Sequence, residues 1–383
     1  MVDKEGFEVT PWDVSGEVDY DKLIKEFGVS KLDQSLLERL KDFKTGELPI
    51  GLRRGVFFAH RDLKWLLDEY DKGNKFFLYT GRSPSGPVHL GHLGTWVFTK
   101  WLQDRFDVEL YFQFPDDEKF LFKEKIDYEE VQKWLYENML DVIALGFNPK
   151  KTHFLIDTKH ADVLYPLAIR VAKKITFSSV KSAFGFDDSR NIGEIFYTSM
   201  QAAPVMVPGS LKENKKIPCL IPLAIDQDPH FRIARDVYPK LGFSKPAIIH
   251  SVFLPPLTGT SGKMASSDSG KAILTTDTPN EVKNKINKYA FSGGQPSLEE
   301  HKEKGGNPDI DVSFQFLRMF FEPSDEKLSD IEQDYRSGEM TTGELKSYLI
   351  DKINGFLAKH QKKREKARKQ IDEFLFKGDK NNV

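Results

Sequence analysis

The chain has 383 residues, with 56 lysines and arginines against 58 aspartates and glutamates, so its net charge of −2 gives no sign of a nucleic-acid partner beyond a local basic face. Hydrophobic residues at 39% and aromatics at 12% are too abundant for a disordered chain, and no apolar run approaches membrane-spanning length. Cys219 is the only cysteine, which excludes an intramolecular disulfide and a cysteine-based zinc site and makes a reducing, cytoplasmic setting the expectation.

The length predicts two or three domains. Residues 1–61 read as an N-terminal extension with a turn around Pro11 and Trp12 and an amphipathic stretch over 20–40, without evident chemistry. Its first charges, Asp3, Lys4, Glu5, Glu8 and Asp13, argue against a secretory signal. The run FFLYT at 76–80, ended by Gly81, predicts a buried strand. GRSPSGP at 81–87 must be a loop, and a helical pattern through Leu93, Trp96, Val97, Lys100 and Trp101 succeeds it. The unit then repeats loosely as strand 110–114, helix 128–145, strand 152–156 and helix 161–176, with further strands at 217–225 and 246–253 around a helix near 231–238. Such alternation predicts an α/β fold, a Rossmann-like parallel-sheet nucleotide-binding core over 62–275 with helices on both faces. After Thr275 the runs are helical, at 282–289, 314–321, 328–335, 342–360 and 362–376, so an all-helical C-terminal domain is expected over 276–383. Within it KHQKKREKARK at 359–369 can lay Lys362, Lys363, Lys366 and Lys369 along one side, either a solvated face or a contact for a phosphate backbone.

In an open parallel sheet, ligands bind beyond the carboxyl ends of the strands where strand order reverses, so the first strand-loop-helix junction is the place to look for chemistry. His89-Leu90-Gly91-His92 sits there. Gly91 permits close approach to a helix start that favours phosphates, and the two imidazoles, three residues apart, can donate to phosphate oxygens. A zinc reading of the same pair lacks further ligands nearby, and no metal site is assigned. The second element is Gly262-Lys263-Met264-Ala265-Ser266-Ser267, a lysine on a Gly/Ser-rich loop that can swing onto a triphosphate or simply be a mobile surface group. It is not a Walker A loop, because Leu257 and Met264 occupy two of the required positions, and no dinucleotide glycine fingerprint is present.

With HLGH at 89–92 and KMASS at 263–267 on either side of a sheet-forming region, the chain resembles a class I aminoacyl-tRNA synthetase. More narrowly, LYTGRSPSG, FTKWLQD, DDEKF, QAAP, LIPLAIDQDPHFR, FSGG, TTGELK and VTPWDV are similar to the cytoplasmic tryptophanyl-tRNA synthetases of eukaryotes and archaea. The resemblance implies activation of L-tryptophan by ATP and Mg²⁺, then transfer to the terminal adenosine of tRNA(Trp) by a cytoplasmic homodimer with no membrane association. It implies that Lys263, His89, His92 and Arg82 are catalytic, and that ATP is held by these four with Gly91, Met264 and Ser267. Tyr79 and Gln113 match positions that bond the indole N–H; Glu118, Gln201 and Gln227 match those around the amino and carboxylate groups. On the residues alone Tyr79 ends a core strand, Gln113 can cap a neighbouring backbone and Glu118 lies in an acidic run. The C-terminal helices would bind the anticodon stem. Three departures stand out: Ala265 where a serine is usual, Thr10 where aspartate is common, and a loop 81–89 about one residue shorter than in animal relatives. The competing readings are a small-molecule adenylyltransferase, a tyrosine-specific synthetase and a non-catalytic RNA-binding relative.

Overall fold

The computed structural model describes residues 8–9, 14–15, 18–43, 46–264 and 270–378; Thr10, Ala265, Ser266 and Ser267 lie outside the described residues. Strands β1 (Glu8–Val9) and β2 (Val14–Ser15) form an antiparallel ribbon. The central sheet has seven strands: β3 (Ser30–Lys31), β4 (Phe57–Arg61), β5 (Phe77–Gly81), β6 (Leu110–Phe114), β7 (Thr152–Ile156), β8 (Cys219–Ala224) and β9 (Ala247–Ser251). Their order is β3-β4-β9-β8-β5-β6-β7, parallel from β9 through β7 and antiparallel at the β3–β4 and β4–β9 pairs.

The parallel strands are buried on both faces, which is why they read as continuous apolar runs. Alternation still divides them. Leu78, Leu110, Phe112 and Phe114 join one cluster with Trp96, Phe98 and Leu102 of helix Leu90–Phe106, whereas Phe77, Tyr79 and Tyr111 join another with Val163, Leu164 and Leu167 of helix Ala161–Ala172. The chain runs β5, β6, β7 to one side and then β8, β9 to the other, so strand order reverses between β5 and β8. That reversal opens the crevice holding the candidate site.

The parallel core matches the sequence expectation, and strands 110–114 and 152–156 coincide with β6 and β7. Other elements differ. The helix expected over 161–176 ends at Ala172, because the Thr176 hydroxyl accepts from Ser179 N at 3.2 Å and caps a separate helix, Phe177–Phe184. The helices expected at 342–360 and 362–376 are largely one, Thr342–Ala367, followed by the short Ile371–Phe374. Its basic stretch still has an inward face: His360, Arg364 and Ala367 are buried while Lys359, Lys362, Lys363, Lys366 and Lys369 are exposed. Arg364 Nε and His360 Nε2 meet Asp141 Oδ1 at 3.1 and 2.9 Å, and Gln361 Nε2 bonds the carbonyls of Thr275 and Asp277 at 3.0 Å. This pins the C-terminal helix to helix Tyr128–Ala144 and the end of the core.

Residues read as an N-terminal extension supply β3 and β4 to the antiparallel side of the sheet. Arg61, at the end of β4, makes two 2.8 Å bonds to the fully buried Asp228, whose Oδ1 also lies 2.8 Å from His250 Nε2 on β9. Burial alone would raise the Asp228 acid, but bonds from Arg61 and His250 outweigh it and hold the pKa at about 2. A depressed carboxyl stabilises the fold above its unfolded pKa of about 4 and loses that contribution as the pH falls through 2. Arg61→Ala, which leaves this carboxylate buried without its bidentate partner, is expected to lower unfolding free energy by roughly 3–5 kcal/mol in urea titrations near neutral pH.

Candidate active site

A cavity of about 710 Å³ opens at the carboxyl ends of β5, β6 and β8. Loop 82–89 leaves β5 with Arg82 N bonded to Gln113 O at 2.9 Å, and Asn138 Nδ2 holds the Gly86 carbonyl at 3.0 Å. The loop delivers His89 to the start of helix Leu90–Phe106. The two imidazoles stack with ring centroids 3.7 Å apart, and a Cβ on Gly91 would meet the His89 ring at 3.0 Å. A side chain there would press the His89 ring aside, so glycine suits this close packing, with the helix N-terminus beside it a favourable place for phosphate oxygens.

Burial, reinforced by Arg82 and Lys263, pushes the His89 pKa down to about 3 and His92 well below its ordinary value. Both rings are neutral at physiological pH. His92 Nδ1 accepts from His89 N at 3.2 Å, which leaves the ring proton on Nε2, so it offers a neutral donor. The cationic groups here are Arg82, brought to about 10 by burial against the opposing pull of Glu118 and Asp141, and Lys263. Lys263 Nζ lies 2.6 Å from Asp226 Oδ2, with Met264 N bonded to Leu254 O at 3.0 Å. Beyond the loop, Leu274 bridges to His89 and Thr275 N bonds Val88 O at 2.9 Å. Both ends of the lysine loop are thus fastened next to the histidines, with Met264 facing Gly91 at 3.5 Å from its would-be Cβ.

The opposite, deeper end of the cavity is a polar network in an apolar wall. Tyr79 OH donates to Gln113 Oε1; Gln201 Nε2 donates to Tyr79 OH at 2.9 Å and to Gln113 Oε1 at 3.2 Å. Burial raises the Tyr79 phenol well above its ordinary pKa, so it remains a hydroxyl. Tyr197 OH lies between Gln201 Oε1 and Glu118 Oε2, the latter at 3.3 Å. Burial works to raise the Glu118 acid, but the Lys119 ammonium at 2.5 Å and His230 bring it below the usual range. Gln227 lines the same cavity and donates to Asp226 at 3.2 Å.

All the candidate catalytic, ATP-binding and tryptophan-binding residues named from the sequence line this one cavity except Ser267, which lies outside the described residues. Several residues bonded to them or beside them were not singled out, Tyr197 among them. Asp226 holds Lys263; His230, its pKa lowered by burial to about 4, sits beside Glu118; Asp157 accepts both contacts of the Gln113 amide nitrogen. Asp157 and Asp226 each follow the last residues of a parallel strand, a position that invites ligand chemistry, but their partners are remote in sequence. Among the described residues no group of three or more His, Cys, Asp or Glu side chains is placed to hold a metal ion.

Residues 71–358 match the family model for class I tRNA synthetases for tryptophan and tyrosine. A tryptophan–tRNA ligase of Sulfurisphaera tokodaii is 53% identical over 98% of this chain and 97% of its own length, and one of Pyrococcus furiosus is 50% identical over 98% and 95%. Among solved structures, tryptophanyl-tRNA synthetase of Plasmodium falciparum superposes with a TM-score of 0.86 at 42% identity, covering 95% of this chain and 96% of that one.

Proposed function

The chain belongs to the class I tRNA synthetases for tryptophan and tyrosine, and from that premise we propose that it is a tryptophan–tRNA ligase working through the cavity between HLGH and Lys263. It activates tryptophan with ATP and then esterifies it to the terminal adenosine of tRNA(Trp). The observation that carries the reading is one cavity with two chemically distinct ends: cations and neutral imidazoles at a helix start, and a buried amide–phenol network fit for an indole N–H.

In activation a carboxylate oxygen of tryptophan attacks the α-phosphorus, the bond to the bridging oxygen breaks, and its electron pair leaves with pyrophosphate. Positioning and charge compensation supply the catalysis. Arg82 compensates the α-phosphate; Lys263 leaves Asp226 for the β- and γ-phosphates; His89 and His92 donate neutral hydrogen bonds; Gly91 and Met264 pack against the nucleotide, with Ser267 assigned to the same loop. Tyr79 and Gln113 take the indole nitrogen, while Glu118, Gln201 and Gln227 surround the amino and carboxylate groups. Mg²⁺ would be carried by the nucleotide's own phosphates, since no group of three or more His, Cys, Asp or Glu side chains among the described residues is placed to hold it, and it would neutralise charge on the departing pyrophosphate; chelation by EDTA is expected to stop the reaction, reversibly on adding Mg²⁺.

The division into an extension at 1–61, a catalytic domain at 62–275 and an anticodon-binding helical domain at 276–383 belongs to the same proposal, with exposed Lys362, Lys363, Lys366 and Lys369 offered to the tRNA backbone. Homodimerisation is supported by exposed apolar groups on neighbouring helices of the core, Tyr165 at 54%, Ile169 at 45% and Ile192 at 84%; sedimentation equilibrium should return twice the 43.9 kDa chain mass. A cytoplasmic location belongs to the same proposal and is checked by cell fractionation. No helix among the described residues is long and apolar enough to cross a membrane.

Amino-acid-dependent ATP–pyrophosphate exchange tests the function. Exchange with tryptophan alone is expected. Exchange with tyrosine would redirect the specificity, and none from folded protein would remove the catalytic reading.

A further inference from the structure

We propose that Asp157 is a specificity-determining positioning residue that fixes the side-chain amide of Gln113 with its oxygen toward the ligand; this rests on the tryptophan reading above. Gln113 is fully buried on β6 beside Leu155 of β7, and Asp157 follows that strand, its N–H bonded to Phe114 O at 3.3 Å. Gln113 Nε2 lies 2.9 Å from Asp157 Oδ1 and 2.8 Å from Oδ2. An amide can be turned end for end at little steric cost, and its direction is decided by its partners. Here the nitrogen is committed to a carboxyl group that offers it acceptor oxygen behind the cavity wall, which Asp157 itself does not line. The oxygen must then face Tyr79 and Gln201, and of its two present donors the longer contact, Gln201 at 3.2 Å, is the one a ligand N–H replaces.

Asp157 is buried beside Asp117, and two carboxyls in contact favour sharing a proton. Burial and this neighbour push the Asp157 acid well above its ordinary pKa. An acid in that state still accepts through its carbonyl oxygen, so asparagine is its near mimic. In Asp157→Ala the amide loses the partner that orients it, and its N–H end can turn toward the indole.

The test compares tryptophan with 3-(benzothiophen-3-yl)alanine, in which sulfur replaces the indole N–H, in ATP–pyrophosphate exchange. Asp157→Ala is expected to cut kcat/KM for tryptophan about 100-fold and that of the sulfur analogue less than about threefold, shrinking the discrimination by over tenfold. Asp157→Asn should keep the discrimination within about threefold of the parent. Equal losses on both substrates in Asp157→Ala, or discrimination retained by it, would overturn the positioning role. If the alanine variant does not fold, Asp157→Asn and Asp157→Leu decide: asparagine must retain the discrimination and leucine lose it, and any other pattern counts against the proposal. Failure of the parent enzyme to exchange with tryptophan would instead overturn the functional reading, so the two failures are distinguishable.

Discussion

Lys263→Ala is expected to lower the rate of tryptophan-dependent ATP–pyrophosphate exchange by about 10³-fold while leaving the KM for tryptophan within about threefold. The ammonium is the cation of the lysine loop nearest the histidines, about one-fifth exposed and placed where a triphosphate would build up charge on departure. Its present partner gives the experiment a control. Burial raises the Asp226 acid, and Lys263 at 2.6 Å opposes that rise, so deleting the lysine leaves Asp226 to take up a proton. Some loss in Lys263→Ala would therefore be structural. The double variant Lys263→Ala with Asp226→Asn removes the stranded acid; it should recover thermal stability and recover none of the exchange rate. Exchange restored along with stability would show that the lysine acts on the fold and not on the phosphates.

The parallel core was legible in the sequence because a strand buried on both faces must be largely apolar, as in LYFQF at 110–114 and THFLI at 152–156. The polar glutamine inside the first of these was the informative exception. The antiparallel edge was not legible. FFAHR at 57–61 is as apolar as its neighbours, but what makes it a strand is β9, almost two hundred residues away, and the Arg61–Asp228 pair. The long C-terminal helix looks like two in the sequence because its basic residues hide the periodicity. Only the fold shows that His360 and Arg364 serve as an inward face against Asp141. The same limit applies within the cavity. His89, Gly91, His92 and Lys263 come in short local patterns, whereas Asp157 and Asp226 matter through partners 44 and 37 residues distant. A lone aspartate at a strand end carries no local signal of what it will hold.

The second large effect is expected from Gln113→Ala, which should reduce kcat/KM for tryptophan by about 10²- to 10³-fold with the KM for ATP changed by less than about threefold. The asymmetry follows from where the side chain sits. Gln113 belongs to the deep polar end, bonded to Tyr79, Gln201 and Asp157, and none of these contacts reaches the histidines or Lys263. Truncation removes an acceptor for the indole N–H and frees Tyr79 OH and Asp157 from their shared partner, so it also costs about 1–3 kcal/mol of folding stability. Both effects are measurable on the same preparation, by exchange kinetics with each substrate varied in turn and by urea unfolding. A parallel rise in both KM values would mean that the strand end had collapsed. A loss confined to tryptophan means that the amide reads the amino acid, and that the two ends of the cavity are energetically separate as their bonding networks imply.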